Sequence, residues 1–130
     1  MNHYRLLMQG VPESATVRAC LDLLNVRGWF PLRVLCGVFQ TLDGKRHVSG
    51  PPKGTPDYAC LHWHYPAFLL ETKRPIGGVL AEAQVQRQHI IHTGYHLPIL
   101  VCADAHELTV WLDEHEAKHG QPPRRERPRL

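Results

Sequence analysis

Residues 67–73, AFLLETK, end an apolar run with a Glu and a Lys two positions apart. A short apolar run closed off by Pro75 and Gly77-Gly78 reads as a strand. Side chains on a strand alternate faces, so Leu69, Glu71 and Lys73 share one face while Leu70 and Thr72 point the other way. A strand buried in a sheet ordinarily avoids charge. This strand must therefore end where one face of the sheet opens onto a polar site.

The run before it, residues 57–63, reads as a second strand, joined to the first through a tight turn around His64-Tyr65-Pro66. A hairpin of this kind brings Asp57, at the start of its strand, beside Glu71 near the end of the partner. Two neighbouring carboxylates repel and resist joint ionisation, and a hard divalent cation removes that conflict. Mg²⁺ suits one or two carboxylates, with waters and substrate phosphate oxygens completing its shell. Such an ion polarises a phosphoryl oxygen and lowers the pKa of a water. Lys73 would then stand beside the developing negative charge. The plain alternative is a solvated surface strand, since a bare E-x-K is common. The apolar AFLL ahead of Glu71 and the Pro-Asp that follows a Gly-Thr turn set this one apart.

The rest of the chain frames these two strands. Residues 13–27 read as a helix, with Val17, Leu21 and Leu24 at helical spacing and Gly28 as its stop. Residues 30–39 read as a strand, and residues 40–56, rich in Gly, Pro and basic groups, as a long loop. A helix is expected over 79–93 with Gly94 as its stop, and a strand over 95–102, where Pro98 belongs at an edge, a start or a bulge. Asp104 with Glu107 three residues on makes a capping box for a last helix. The order α-β-β-β-α-β-α implies a mixed α/β fold, a mixed β-sheet flanked by helices. Residues 1–120 are read as one domain and 121–130 as a basic, flexible tail.

Composition sets the outer limits. The 130 residues support one core, and 43% hydrophobic with 21% charged residues is ordinary for a globular chain. No run of 18 apolar residues suggests a membrane span, and no secretory signal is legible at the N-terminus, so a cytoplasmic location is expected. The four Cys lack a C-x-x-C pair and sit among apolar neighbours, as core thiols do. Net charge is +3, but the cations cluster: Lys45, Arg46 and Lys53 in the long loop, and Arg124, Arg125, Arg127 and Arg129 in the tail. Such clusters suit a polyanion, and their plain reading is a pair of solvated, solubilising segments.

Taken together, KGTPDY (53–58), LLETKRPIGGVLAEAQ (69–84) and HTGYHLPILV (92–101) resemble the virus-type replication-repair nuclease (VRR-NUC) domain of the PD-(D/E)xK nuclease superfamily. The resemblance spans residues 13–112. It implies a restriction-endonuclease-like core and a Mg²⁺- or Mn²⁺-dependent endodeoxyribonuclease, with no small-molecule cofactor beyond the metal. Asp57 and Glu71 match the metal-binding acids and Lys73 the catalytic lysine. Gln84 matches a glutamine early in the following helix, Glu13 an acid on the first helix, and the Thr72 backbone carbonyl a further metal ligand. The implied partner is DNA, bound without base-specific contacts and selected by shape, such as a four-way junction, in a bacterial or phage-infected cell. Lys45, Arg46, Lys53, Arg74, Arg87, Arg124 and Arg125 are the candidate phosphate contacts. Two symmetric cuts imply a homodimer, for which the first helix and the last, around Trp111 and Leu112, offer apolar surfaces.

Other readings stand beside this one. A nickase, flap nuclease or restriction-type nuclease would use the same site, and a catalytically silent DNA-binding module would keep the fold without the chemistry. Cys60, His62 and His64 alternate on one strand face but lack a fourth zinc ligand. His89 and His92, three apart on a helix, fit a wet face.

Overall fold

The computed structural model describes residues 13–36, 38–52, 54–73 and 80–120. Among these residues the chain forms α1 (Glu13–Val26), β1 (Phe30–Arg33), β2 (Val38–Gln40), β3 (His47–Ser49), β4 (Tyr58–Leu61), β5 (Phe68–Thr72), α2 (Glu82–Tyr95), β6 (Ile99–Cys102) and α3 (Ala105–His119). The fold is mixed α/β. One sheet runs β1-β4-β5-β6, antiparallel except for the parallel pair β5 and β6, and β2 with β3 form a separate ribbon. No helix among the described residues is long and apolar enough to cross a membrane.

The first helix shows how local chemistry sets the boundaries. Its buried residues Thr16, Cys20 and Leu24 recur every four positions, one stripe of a helix. Gly28 ends it at φ +85°, a conformation that costs a residue with a Cβ. There the Trp29 N–H donates to the Leu24 carbonyl at 2.9 Å and the Gly28 N–H to that of Asn25 at 3.2 Å, the bond pair of a Schellman cap. Trp29 is thereby delivered into the core, and its indole N–H donates to Glu116 of α3 at 3.0 Å. Arg27 bridges to Asp113 and Glu116, at 2.9 and 2.6 Å, and ties the end of α1 to α3.

The core lies on one face of the sheet. Cys60 stands opposite Phe68, Tyr58 opposite Leu70, and Thr72 beside Cys102. These side chains meet Cys20 and Leu24 of α1 and Leu108 and Leu112 of α3. Phe68 holds Trp29 edge-on at 5.0 Å between ring centroids and Trp111 at 4.4 Å. Three of the four thiols, Cys20, Cys60 and Cys102, are buried, and desolvation pushes Cys60 up to about 12. The N-cap of α3 forms as the sequence implies, Asp104 accepting from the Glu107 N–H at 2.8 Å, while the Glu107 side chain accepts from the N–H of Ala103, one residue before the cap, at 3.1 Å instead of closing a capping box.

Four expectations change. The strand over 30–39 is two strands, because β1 leaves the sheet at Arg33, where its partner β4 runs out. The long loop over 40–56 is not wholly irregular: it holds the end of β2 and all of β3, which pair into a ribbon. The helix expected to stop at Gly94 runs on to Tyr95 and is capped by His96 at φ +56°. Leu112 is no pairing surface, since it is fully buried, and Trp111 leans on Phe68 and His115. The basic tail lies outside the described residues.

Candidate active site

The opposite face of the sheet carries Leu69 and Glu71 of β5, with Ala59 and Leu61 of β4, and Lys73 follows just beyond the strand. The Lys73 N–H still donates to the Cys102 carbonyl at 2.9 Å, so strand geometry extends through it and Glu71 and Lys73 share this face. The antiparallel register that sets Tyr58 against Leu70 brings Asp57 alongside Glu71. The Asp57 N–H donates to Glu71 Oε2 at 3.2 Å.

Glu71 is the hub. Its side chain is 1% exposed, and Oε1 accepts from Gln84 Nε2 at 2.7 Å and pairs with Lys73 Nζ at 3.2 Å. Burial, and then the charge of Asp57, push the Glu71 carboxyl above its ordinary range, and Lys73 pulls part of the way back. This is the frustration that a second cation relieves.

Two local devices hold the parts in place. Gln84 sits in the first turn of α2, where its Oε1 accepts from the Ala81 N–H at 2.9 Å. That bond satisfies a free donor at the helix start and aims the amide N–H at Glu71. Gly54, at φ +94°, lies against the backbone of Ala83, and a Cβ there would run into the Ala83 carbonyl. The glycine of the G-T-P-D turn thus lets the chain entering Asp57 touch the start of α2.

The donor set limits which cation it could hold. Among the described residues no three His, Cys, Asp or Glu side chains converge. Asp57 and Glu71 are the carboxylates that could hold a hard ion such as Mg²⁺ or Mn²⁺, with a backbone carbonyl and waters needed to complete its shell, and the set lacks the ligands that structural zinc requires. Cys60 belongs to the core, and His62 Nδ1 accepts from the His64 N–H at 3.0 Å, so these two serve the core and the β4–β5 connection. The Thr72 side chain is fully buried toward the core, which leaves only its backbone for the site.

The remaining candidates are scattered. Glu13 opens α1, which packs on the core face, and no hydrogen bond or ion pair among the described residues joins it to Glu71. Lys45 and Arg46 are exposed in the turn of the β2–β3 ribbon. Arg87 lies one helical turn beyond Gln84. Lys53, Arg74, Arg124 and Arg125 lie outside the described residues.

The structure adds Gln88. Gln84, Arg87, Gln88 and Ile91 are the less exposed positions of α2 up to Ile91, spaced as one helical stripe. Gln88 is buried, and its Nε2 has no hydrogen-bond partner among the described residues. A stripe of Gln-Arg-Gln on the sheltered side of a helix is the inverse of core amphipathicity, and it presents donors that suit phosphate or water. The i, i+4 spacing from Gln84 was the available signal for it. No family model matches the chain, and neither a curated protein nor a solved structure matches it.

Proposed function

We propose that this chain is a Mg²⁺- or Mn²⁺-dependent endodeoxyribonuclease with a restriction-endonuclease-like core, acting on branched DNA such as four-way junctions. The observation that carries this reading is the buried Glu71 carboxylate, raised above its ordinary range beside Asp57 while paired with Lys73 and Gln84. A carboxylate desolvated next to a second one, at an open sheet end, is costly to keep for structure alone.

Asp57 and Glu71 would hold the cation, with the Thr72 carbonyl as a further ligand. When bound, the ion would neutralise phosphoryl charge and acidify a water. Lys73, only 17% exposed, stands where negative charge grows at the phosphate and stabilises it. Gln84 fixes the orientation of Glu71 through one amide N–H. Arg87 and Gln88 extend a row of donors along α2 for the flanking phosphates. DNA is favoured over a small phosphoester because Lys45 and Arg46 are exposed in the turn of the β2–β3 ribbon, where an extended polyanion can meet them. Two cuts across a junction call for two copies of the site, hence a homodimer.

The test is cleavage of end-labelled four-way junction, flap and linear duplex, each with Mg²⁺, Mn²⁺ or EDTA. Wild type runs beside Asp57→Ala and Lys73→Ala, with folding checked by circular dichroism. Metal-dependent, paired cuts on the junction that vanish in both variants are expected. Cuts on every substrate alike would remove the junction preference. Folded wild type that cuts nothing would replace the enzyme with a DNA-binding module.

A further inference from the structure

The β2–β3 ribbon stands free of the main sheet. All six of its strand residues are exposed, and Phe39 faces Val48 across it with both side chains open to solvent. An isolated two-stranded hairpin is marginal in water, so this one calls for a covering partner. Its tip is nevertheless closely bonded. The Thr41 N–H donates to the Arg46 carbonyl at 3.0 Å and the Gly44 N–H to the Thr41 carbonyl at 2.9 Å. Asp43 Oδ1 accepts from the Thr41 hydroxyl at 2.6 Å and the Lys45 N–H at 3.0 Å, and Gln40 donates to the Gly44 carbonyl at 3.1 Å. Asp43 is thus engaged within the turn. What the tip offers outward is a fully exposed Leu42, with Lys45, Arg46 and His47 also exposed on the returning arm.

The ribbon is also rooted at the candidate site. On its way in, the Val34 N–H donates to the Asp57 carbonyl at 2.8 Å, and on the way out the chain returns through Gly54 and Pro56 to Asp57. Cys36 Sγ meets the Thr55 carbonyl at 3.6 Å and clips the two roots together. A duplex held at Glu71 would therefore lie beside the ribbon.

We propose that the β2–β3 ribbon is a DNA wedge: Lys45 and Arg46 grip backbone phosphates, and Leu42 inserts at the branch point against an unstacked base. This deepens the nuclease reading above and rests on it for the identity of the ligand. Grooves of duplex DNA admit a two-stranded ribbon, and apolar wedges such as Leu enter where bases part. Unstacking costs least where pairing is already interrupted, which turns a sequence-blind cationic arm into a detector of branches. The cations select DNA over a second copy of the chain as the occupant, since two like tips would repel.

The test uses a four-way junction and a linear duplex, each with 2-aminopurine at the position that forms the branch in the junction. Binding is measured in EDTA, so that the DNA stays intact. Wild type should brighten the junction probe and leave the duplex probe dark. Leu42→Ala, which removes no buried contact, should lose the brightening and lose about tenfold of its preference for the junction. Lys45→Ala with Arg46→Ala should weaken both DNAs and reduce the slope of log affinity against log salt by about 0.9 for each lost phosphate contact. Equal brightening by Leu42→Ala and wild type would overturn the wedge, as would wild type that binds neither DNA. The same preparations, assayed for cleavage in Mg²⁺, report separately on the nuclease. Brightening without cleavage would uphold the wedge and remove the enzyme, and cleavage with no effect of Leu42 would do the reverse.

Discussion

The two faces of the β1-β4-β5-β6 sheet are built by the same strands and do opposite things. On one, Tyr58, Cys60, Phe68, Leu70 and Cys102 are sealed beneath α1 and α3. On the other, Phe30, Leu32, Leu61 and Val101 remain in part exposed, and the one deeply buried side chain of β5 is the charged Glu71. The helix on that side meets Glu71 through an amide, and its sheltered stripe is Gln84, Arg87, Gln88 and Ile91. One face thus holds the molecule together by excluding water. The other stays incompletely covered, and there a carboxylate is raised above its ordinary range by burial beside Asp57. On the proposed reading, strand parity divides stability from chemistry: residue i serves one and residue i+1 the other.

That division can be broken most severely from the dry side. Phe68→Ala empties a ring-lined space between Trp29 and Trp111 and is expected to cost about 3–5 kcal/mol in urea unfolding. Next comes the metal. If Mn²⁺ binds the folded chain alone, a concentration of 100 times its Kd adds about 2.7 kcal/mol, read as a rise in Tm that Asp57→Ala abolishes. Gly54→Ala forces a Cβ into the Ala83 carbonyl at a positive φ and is expected to cost about 1–3 kcal/mol, with loss of metal binding as Asp57 and α2 separate.

Acidity gives a subtler separation. The Glu71 carboxyl is raised in the folded chain above its ordinary value of 4.5. The folded state then binds the proton more tightly than the unfolded one. Its contribution is fully present below the ordinary value and is lost as pH rises through the raised one. Metal-free protein should therefore become less stable over that window, and Glu71→Gln should flatten the slope in melts taken across it. The smallest effect is expected from Leu61→Ala on the open face, within about 0.5 kcal/mol. A loss as large as that of Phe68→Ala would mean that this face is also core.

Much of the site was legible in the sequence because it depends on period and register alone. Alternation along FLLETK put Glu71 and Lys73 on one face, and a hairpin placed Asp57 opposite, without knowledge of any packing. The helix α2 was harder to read. Its inward stripe is polar, while Val85 and Ile90 point to solvent, so an apolar count selects the wrong side. The strand β3 and its pairing with β2 escaped for a related reason: with both faces exposed, no alternation marks β3 as strand. Leu112 was misplaced as a pairing surface because a helical Leu beside a Trp reads alike in a core and at an interface. Only the packing of α3 against Phe68 and α1 decides between them.

The most direct measurement is calorimetric titration of Mn²⁺ into wild-type protein, Asp57→Asn and Glu71→Gln, with each variant's folding verified. If Asp57 and Glu71 form the hydrolytic centre, wild type binds the ion, both variants lose that binding, and both lose DNA cleavage with it. Binding that persists unchanged in the two variants, or wild type that takes up no ion at millimolar Mn²⁺, would contradict the assignment of this sheet face as a metal-dependent active site.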